Sequence, residues 1–138
     1  MILLDANVFM YAAGREHPNR RACADLIIRI ASGGTDVAAD VEVLQEILHR
    51  FRAQKRWEEG RRVYDLARRV VLTWISIDVD ALDRARGLMD TYPHLTARDA
   101  LHAAVCLDLG AEAFCSFDRD FDGIEGLRRV EPDEVGRH

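Results

Sequence analysis

The chain has 138 residues, of which 49% are hydrophobic and 31% are charged, and its formal net charge is −5. This length suits a single folded domain spanning residues 1–138, and the composition is not that of a disordered protein. The negative charge argues against a protein whose whole surface binds nucleic acid. No apolar run approaches the roughly 18–20 residues needed to span a membrane, so we expect a cytoplasmic protein with no membrane segment.

The first half of the chain alternates between short apolar runs and stretches with helical spacing. MILLD predicts a first strand that ends at Asp5. Residues 19–34 predict a helix that stops at the pair Gly33 and Gly34, a typical C-terminal signal. DVAAD predicts a second strand, and residues 41–56 carry one apolar helical stripe.

The second half continues the alternation. Residues 57–70 predict a helix, LTWISID a third strand, and residues 79–92 a helix that ends before Pro93. TARDALHAAVCLDLG predicts a helix closed by Gly110, AFCSFD a fourth strand and LRRVEP a short fifth. Strands that alternate with helices predict a three-layer α/β/α sandwich around a mostly parallel sheet of about five strands.

Four acids follow strands or begin helices where they can reach one edge of this sheet. Asp5 and Asp118 end predicted strands, Glu46 lies one turn into a helix, and Asp99 lies in the first turn of another. In open α/β sheets, functional sites form outside the carboxyl ends of the strands. Each acid also has an ordinary interpretation, because Asp99 fits a capping pattern with Thr96, Glu46 suits a solvated helix face and Asp118 suits a turn.

Gathering these carboxylates requires protons or a divalent cation. Two like charges about 4 Å apart repel by roughly 4 kcal/mol at an effective dielectric constant near 20. An all-oxygen ligand set suits Mg²⁺ or Mn²⁺ better than Zn²⁺. Such an ion lowers the pKa of bound water and offsets charge on a phosphoryl oxygen, which is the chemistry of metal-dependent nucleases.

Four segments carry a family resemblance. LLDANVF, VEVLQEILHRF, LTARDALHAA and SFDRDFDGIEGL resemble, in order and spacing, the motifs of a PIN domain, specifically of the VapC-type toxins of bacterial toxin–antitoxin pairs. The resemblance covers essentially the whole chain. It implies a PIN-like fold and a Mg²⁺- or Mn²⁺-dependent endoribonuclease that hydrolyses RNA phosphodiesters with a metal-activated water. It also implies a cognate antitoxin protein as partner and a toxin homodimer.

The resemblance assigns roles residue by residue. It gives the catalytic and metal-binding quartet as Asp5, Glu46, Asp99 and Asp118. It gives Asn7 and Ser116 as polar residues that brace those carboxylates, and Asp122 as an additional outer acid. We expect Asp120 to be exposed.

Other residues near the motifs favour ordinary roles. His102 stands three residues after Asp99, and His49 three after Glu46, a spacing that brings side chains to one helix face. We expect both histidines to pack or to hydrogen-bond within their helices rather than to hold a metal. Glu42, one turn before Glu46, is expected to face solvent.

The most basic stretch lies in residues 50–62. Its arginines Arg50, Arg52 and Arg56 are candidate contacts for RNA phosphates beside an acidic pocket that would otherwise repel them. The alternative is a solvated helical hairpin in which arginines pair with Glu58 and Glu59.

Three rival functions fit parts of the pattern. A response-regulator receiver needs an acidic pair after the first strand and a lysine near the fifth, but Lys55 is the only lysine and lies in a helical segment. A phosphatase of the haloacid dehalogenase type needs a second acid where Asn7 stands. The remaining alternative is a non-catalytic PIN-like scaffold that binds RNA or a partner, which ranks second because all four acids are present.

Overall fold

The computed structural model describes residues 1–136 of the chain. The strands are β1 (Ile2–Leu4), β2 (Val37–Asp40), β3 (Trp74–Ile75), β4 (Ala113–Cys115) and β5 (Arg129–Val130). The α-helices are α1 (Ala6–Ala13), α2 (Arg20–Ala31), α3 (Val41–Ala53), α4 (Trp57–Val70), α5 (Val79–Thr91) and α6 (Ala97–Leu109). Two short 3₁₀ helices, Arg119–Phe121 and Pro132–Glu134, flank β5.

The five strands form one parallel sheet in the order β3-β2-β1-β4-β5. The central strand β1 pairs with both β2 and β4, with Leu3 opposite Ala38 on one side and Phe114 on the other. The chain order therefore reverses at β1, where a crevice opens at the carboxyl edge of the sheet. This topology places the residues that follow β1 and β4 side by side.

The two faces of the sheet pack against different helices. Leu3 and Phe114 belong to a buried cluster with α5 and α6, whereas Leu4 and Cys115 belong to one with α1 to α4. Successive side chains of a strand point to opposite faces, so a strand buried on both sides reads as one continuous apolar run. The predicted three-layer α/β/α sandwich is confirmed. Within residues 1–136, no helix is both long and apolar enough to cross a membrane.

Several predicted element bounds need correction. The helix α1 was not expected, because Val8 and Phe9 extend the apolar run of β1 and are also good strand formers. The third strand was predicted over residues 72–78 but covers only Trp74–Ile75, since β3 is an edge strand paired with β2 alone. Helix α3 ends at Ala53 rather than near residue 56. The predicted stop of α6 is confirmed, because Gly110 adopts φ 61° and closes the helix.

Candidate active site

The carboxyl edge of the sheet carries a cleft of about 370 Å³. Asp5 follows β1, and Asp118 follows the neighbouring strand β4 after two intervening residues. Glu46 reaches the cleft from α3, and Asp99 from the first turn of α6. The other charged or polar residues that line it are Asn7, Tyr11, Arg50, Thr96, Arg98 and Asp120.

Asp5 is held at both carboxylate oxygens. It is 5% exposed and caps α1, with Oδ1 accepting a 2.7 Å hydrogen bond from the amide of Ala6. Its Oδ2 accepts from Ser116 Oγ at 2.6 Å and from Asn7 Nδ2 at 3.3 Å. Burial raises the pKa of Asp5 to about 6, although the neighbouring His102 opposes that shift. A cation at this carboxylate would therefore compete with a proton near neutral pH.

Ser116 joins the ends of β1 and β4. Its buried hydroxyl donates to Asp5 and accepts hydrogen bonds from Asn7 Nδ2 at 3.1 Å and from the amide of Asp118 at 2.9 Å. One donor and two acceptors are all that a hydroxyl offers, so its hydrogen-bonding capacity is filled. The network consequently fixes Asp5 relative to the backbone that carries Asp118.

Glu46 and Arg98 form one wall of the cleft. Glu46 is 8% exposed, and its Oε1 lies 3.8 Å from Arg98 Nε. The same Arg98 nitrogen lies 3.4 Å from Glu42 Oε1. Burial raises the pKa of Glu42, while His102 and Arg98 oppose the shift. Arg98 thus supplies positive charge at the acidic wall, and Glu42 is partly buried rather than solvated.

A buried histidine lies beneath the same wall. His102 and Asp40 are each 1% exposed, and His102 Nδ1 lies 2.6 Å from Asp40 Oδ2. The other ring nitrogen, Nε2, lies 3.6 Å from Glu46 Oε1 and 3.9 Å from Asp5 Oδ1. Burial lowers the pKa of His102, but Asp40, followed by Glu46 and Asp5, outweighs burial and raises it well above its ordinary value. The three carboxylates thus favour the protonated form of the ring.

A second group of acids lines the same cleft. Carboxylate oxygens of Asp99, Asp118 and Asp120 lie within 4.8 Å of one another. Burial raises the pKa of Asp99, and the neighbouring charge of Asp118 raises it further. Like charges at this spacing favour a shared proton or a bound cation.

The donor set fits a divalent cation. Two clusters, one of Asp5, Glu46 and His102 and one of Asp99, Asp118 and Asp120, each bring ligand atoms within 4.8 Å of one another. Carboxylate oxygens are the donors that hard divalent ions prefer, and a cation at either cluster would offset the like charges gathered there.

All the acids of the cleft lie in a part of the chain that matches a known protein family. A family model for the PIN domain matches residues 2–127. The chain belongs to the PIN domain family. The matched range contains β1 to β4, both groups of acids and the buried pair of Asp40 and His102.

Relatives and solved structures agree with this assignment. The chain is 39% identical over 130 residues to Ribonuclease VapC13 of Mycobacterium tuberculosis, covering 94% of this chain and 99% of that one. The fold matches the crystal structure of VapC20 of M. tuberculosis, a sarcin–ricin loop cleaving toxin, with a TM-score of 0.74, 16% identity and 91% and 95% of the two chains covered. A toxin–antitoxin complex from Klebsiella pneumoniae gives a TM-score of 0.65, 20% identity and 98% and 100% coverage.

The PIN fold brings together most of the residues that the sequence singled out. The cleft is lined by six of the predicted site residues: Asp5, Asn7, Glu46, Arg50, Asp99 and Asp118. Ser116 lies directly behind Asp5. Asp122 does not reach the cleft, because its carboxylate accepts a 2.8 Å hydrogen bond from Arg129 Nε at the surface.

The three candidate RNA-binding arginines lie in different surroundings. Arg50 is exposed and lines the cleft. Arg52 places its guanidinium 4.2 Å from the centre of the Trp57 ring. Arg56 donates to Glu59 Oε2 at 2.7 Å, which is the salt-bridged alternative predicted for this hairpin.

Sequence reasoning missed the polar residues around the acids. Asp40 ends a buried strand as Asp5 does, which is the signal that could have found it. His102 was expected to pack or to hydrogen-bond within its helix; its ring packs on Phe114, but its hydrogen-bond partner Asp40 lies 62 residues away in the chain. Asp120 is exposed as expected, yet it also lines the cleft.

Proposed function

We propose that this PIN-domain protein is a metal-dependent endoribonuclease and the toxin of a VapBC-type toxin–antitoxin pair. The observation that carries the proposal is the convergence of five carboxylates on one cleft at the carboxyl edge of the sheet. The relative with 39% identity is named a ribonuclease, which supports the same activity here.

The proposed cofactor is Mg²⁺ or Mn²⁺, held by Asp5, Glu46, Asp99 and Asp118. When bound, the ion would lower the pKa of a water molecule and offset negative charge on the scissile phosphate. The burial and hydrogen bonds of Asp5 support its role as the fixed ligand, because a carboxylate that is already oriented loses little conformational entropy when it binds an ion. Asp99 and Asp118 are only partly buried and line the cleft, so their carboxylates are accessible to an ion that also contacts the phosphate.

The residues around the quartet orient it and balance its charge. Asn7 and Ser116 hold Asp5 Oδ2, and Ser116 also anchors the backbone of Asp118. Arg98 lies near Glu46 at the wall and would limit repulsion of the phosphate. Asp122 has no direct part in this scheme, but it holds Arg129, whose Nη1 donates to the Ser116 carbonyl at 3.0 Å.

Arg50 is the proposed first contact for RNA. Its side chain lines the acidic cleft and also an adjoining cavity of about 210 Å³ that contains Tyr11, His17 and Arg56. A guanidinium at this junction can bind a phosphate next to the scissile one and offset the charge of the acids. Arg52 and Arg56 are assigned a weaker contribution, since one packs on Trp57 and the other pairs with Glu59.

The proposed partners follow from the same family. A structural neighbour is a toxin–antitoxin complex, which supports a cognate antitoxin for this chain. We further propose that the protein is a cytoplasmic homodimer, as the resemblance to VapC toxins implies.

Comparing binding with cleavage separates a nuclease from a non-catalytic scaffold. The variant Asp5→Asn keeps the shape of the side chain but removes its charge. A nuclease should lose cleavage while it still binds RNA, as measured by fluorescence anisotropy of a labelled RNA. A scaffold should cleave nothing in either form, and unaltered cleavage by the variant would reject the quartet.

A further inference from the structure

Asp40 and His102 form a buried pair that joins the end of β2 to α6. Asp40 occupies the N-cap position of α3, where an aspartate ordinarily accepts a hydrogen bond from the first turn. Here its side chain makes no capping bond and instead approaches His102 Nδ1 at 2.6 Å. Both side chains are 1% exposed, so the interaction is removed from water.

The other ring nitrogen points at the site. Within residues 1–136, His102 Nε2 is buried without a hydrogen-bond partner. Its nearest acidic oxygens are Glu46 Oε1 at 3.6 Å and Asp5 Oδ1 at 3.9 Å. Phe114 stacks on the ring, with centroids 5.6 Å apart and planes inclined by 29°. The ring is thus held by Asp40 and Phe114 and presents its unpaired Nε2 to two carboxylates.

Glu46 depends on this contact more than Asp5 does. Asp5 is already held by Ala6, Ser116 and Asn7. Within residues 1–136, the Glu46 carboxylate has only longer contacts, to His102 Nε2 at 3.6 Å and to Arg98 Nε at 3.8 Å. Of these two neighbours, the His102 side chain is fully buried, whereas Arg98 is 35% exposed.

We propose that Asp40 and His102 are positioning residues that hold Glu46, and secondarily Asp5, from behind so that their free oxygens face the cleft. This inference rests on the proposed metal-dependent function of the cleft. Partners behind metal-binding side chains commonly change metal affinity by about 10–100-fold when they are removed. The pair would therefore set how tightly the cleft holds its ion without touching the RNA.

Two substitutions separate the roles of the ring nitrogens. In His102→Asn the amide takes the place of Nδ1 and can still bond to Asp40, but nothing occupies the position of Nε2. In His102→Gln the amide reaches the position of Nε2. The probe is Mn²⁺ alone, whose binding to the purified chain is followed by electron paramagnetic resonance, with His49→Asn, an exposed histidine of α3, as the matched control.

The positioning role predicts that His102→Asn weakens Mn²⁺ binding by about tenfold or more. It predicts that His102→Gln recovers part of the loss and that His49→Asn binds like wild type. A folded His102→Asn variant with wild-type affinity would overturn the proposal, as would equal losses in both His102 variants, because a merely structural role does not distinguish the two nitrogens.

A measurement on the folded chain avoids the risk that His102 variants unfold. The ¹⁵N spectrum of the histidine rings in metal-free protein is compared between wild type, Glu46→Gln and Asp120→Asn. The His102 Nε2 resonance should move in Glu46→Gln and stay in place in Asp120→Asn; an unmoved resonance in Glu46→Gln overturns the contact. A wild type that binds no Mn²⁺ instead refutes the proposed function, and these spectra then decide the positioning by themselves.

Discussion

The hydroxyl of Ser116 donates a 2.6 Å hydrogen bond to Oδ2 of Asp5, and each residue directly follows one of two paired strands. The amide of Asp5 also donates to the carbonyl of Cys115 at 2.9 Å. The hydrogen bonds between β1 and β4 therefore continue up to Asp5 itself, with no loop between the strand and the acid. Rigid placement of this kind is what a metal ligand needs, because little reorganisation then accompanies binding.

The variant Ser116→Ala tests this link. It removes a bond that lowers the pKa of Asp5, so the proton competes better with a cation. We expect Mn²⁺ affinity to fall about tenfold at neutral pH and stability to fall by about 1–3 kcal/mol, because buried partners lose their hydrogen bonds. Isothermal calorimetry and urea unfolding measure the two effects. Ser32→Ala, at the exposed end of α2, should change neither by a comparable amount.

Metal binding should weaken in acid. Burial raises the pKa of Asp5 to about 6, so the carboxyl is ionised above that pH and protonated below it. A proton must then leave before a cation binds, and affinity should fall as the pH drops through 6. Mn²⁺ titrations across this range measure the effect. An affinity that stays constant to well below pH 6 would contradict both the raised pKa and the role of Asp5 as a ligand.

Gly60 allows α3 and α4 to approach closely. A Cβ atom at Gly60 would lie 2.5 Å from Phe51 Cβ, whereas one at Gly87 on α5 would meet nothing within 4 Å. Alanine is about 1 kcal/mol better than glycine in a helix interior, so Gly87→Ala should stabilise the protein by up to that amount. Gly60→Ala should instead destabilise it by about 1–3 kcal/mol through overpacking. Urea unfolding of both variants decides; equal effects would reject the close contact.

Arg50 should contribute to RNA binding more than a distant arginine does. Arg50→Ala removes an exposed guanidinium at the cleft, whereas Arg86→Ala removes one from α5 on the other side of the sheet. We expect only the first to weaken binding of a labelled RNA and to reduce the slope of log affinity against log salt by about 0.7. Anisotropy titrations at several salt concentrations measure both quantities. Equal RNA affinity and equal salt dependence of the two variants would contradict a contact between Arg50 and RNA.

Most strands and helices could be predicted from the sequence, because the buried residues on both faces of the sheet are apolar and the apolar residues of most helices recur at helical spacing. The exception is α1, where the sequence pattern did not distinguish a helix from a strand. Val8 and Phe9 suit both, and the helix is selected by the cap at Asp5 and by packing against α2. Asp5 and Asp118 were found because strand ends in a parallel sheet meet at one edge, and Glu46 and Asp99 because their helices begin near that edge and match the family motifs. The pair of Asp40 and His102 was not predicted, because the two residues lie far apart in the chain and the burial of a histidine depends on tertiary structure.

Cleavage of total RNA by the purified protein, with Mg²⁺, Mn²⁺ or EDTA, tests the central claim most directly. Asp99→Asn is the decisive variant, because the cap bond at this position, in which the Thr96 hydroxyl accepts from the Asp99 backbone amide at 3.2 Å, is kept when only the side-chain charge is removed. Asp108→Asn, near the other end of α6, is the matched control. We predict discrete fragments from wild type and Asp108→Asn only with metal, and none from a folded Asp99→Asn. Cleavage that persists in EDTA or in Asp99→Asn would contradict a metal-dependent nuclease built on these acids.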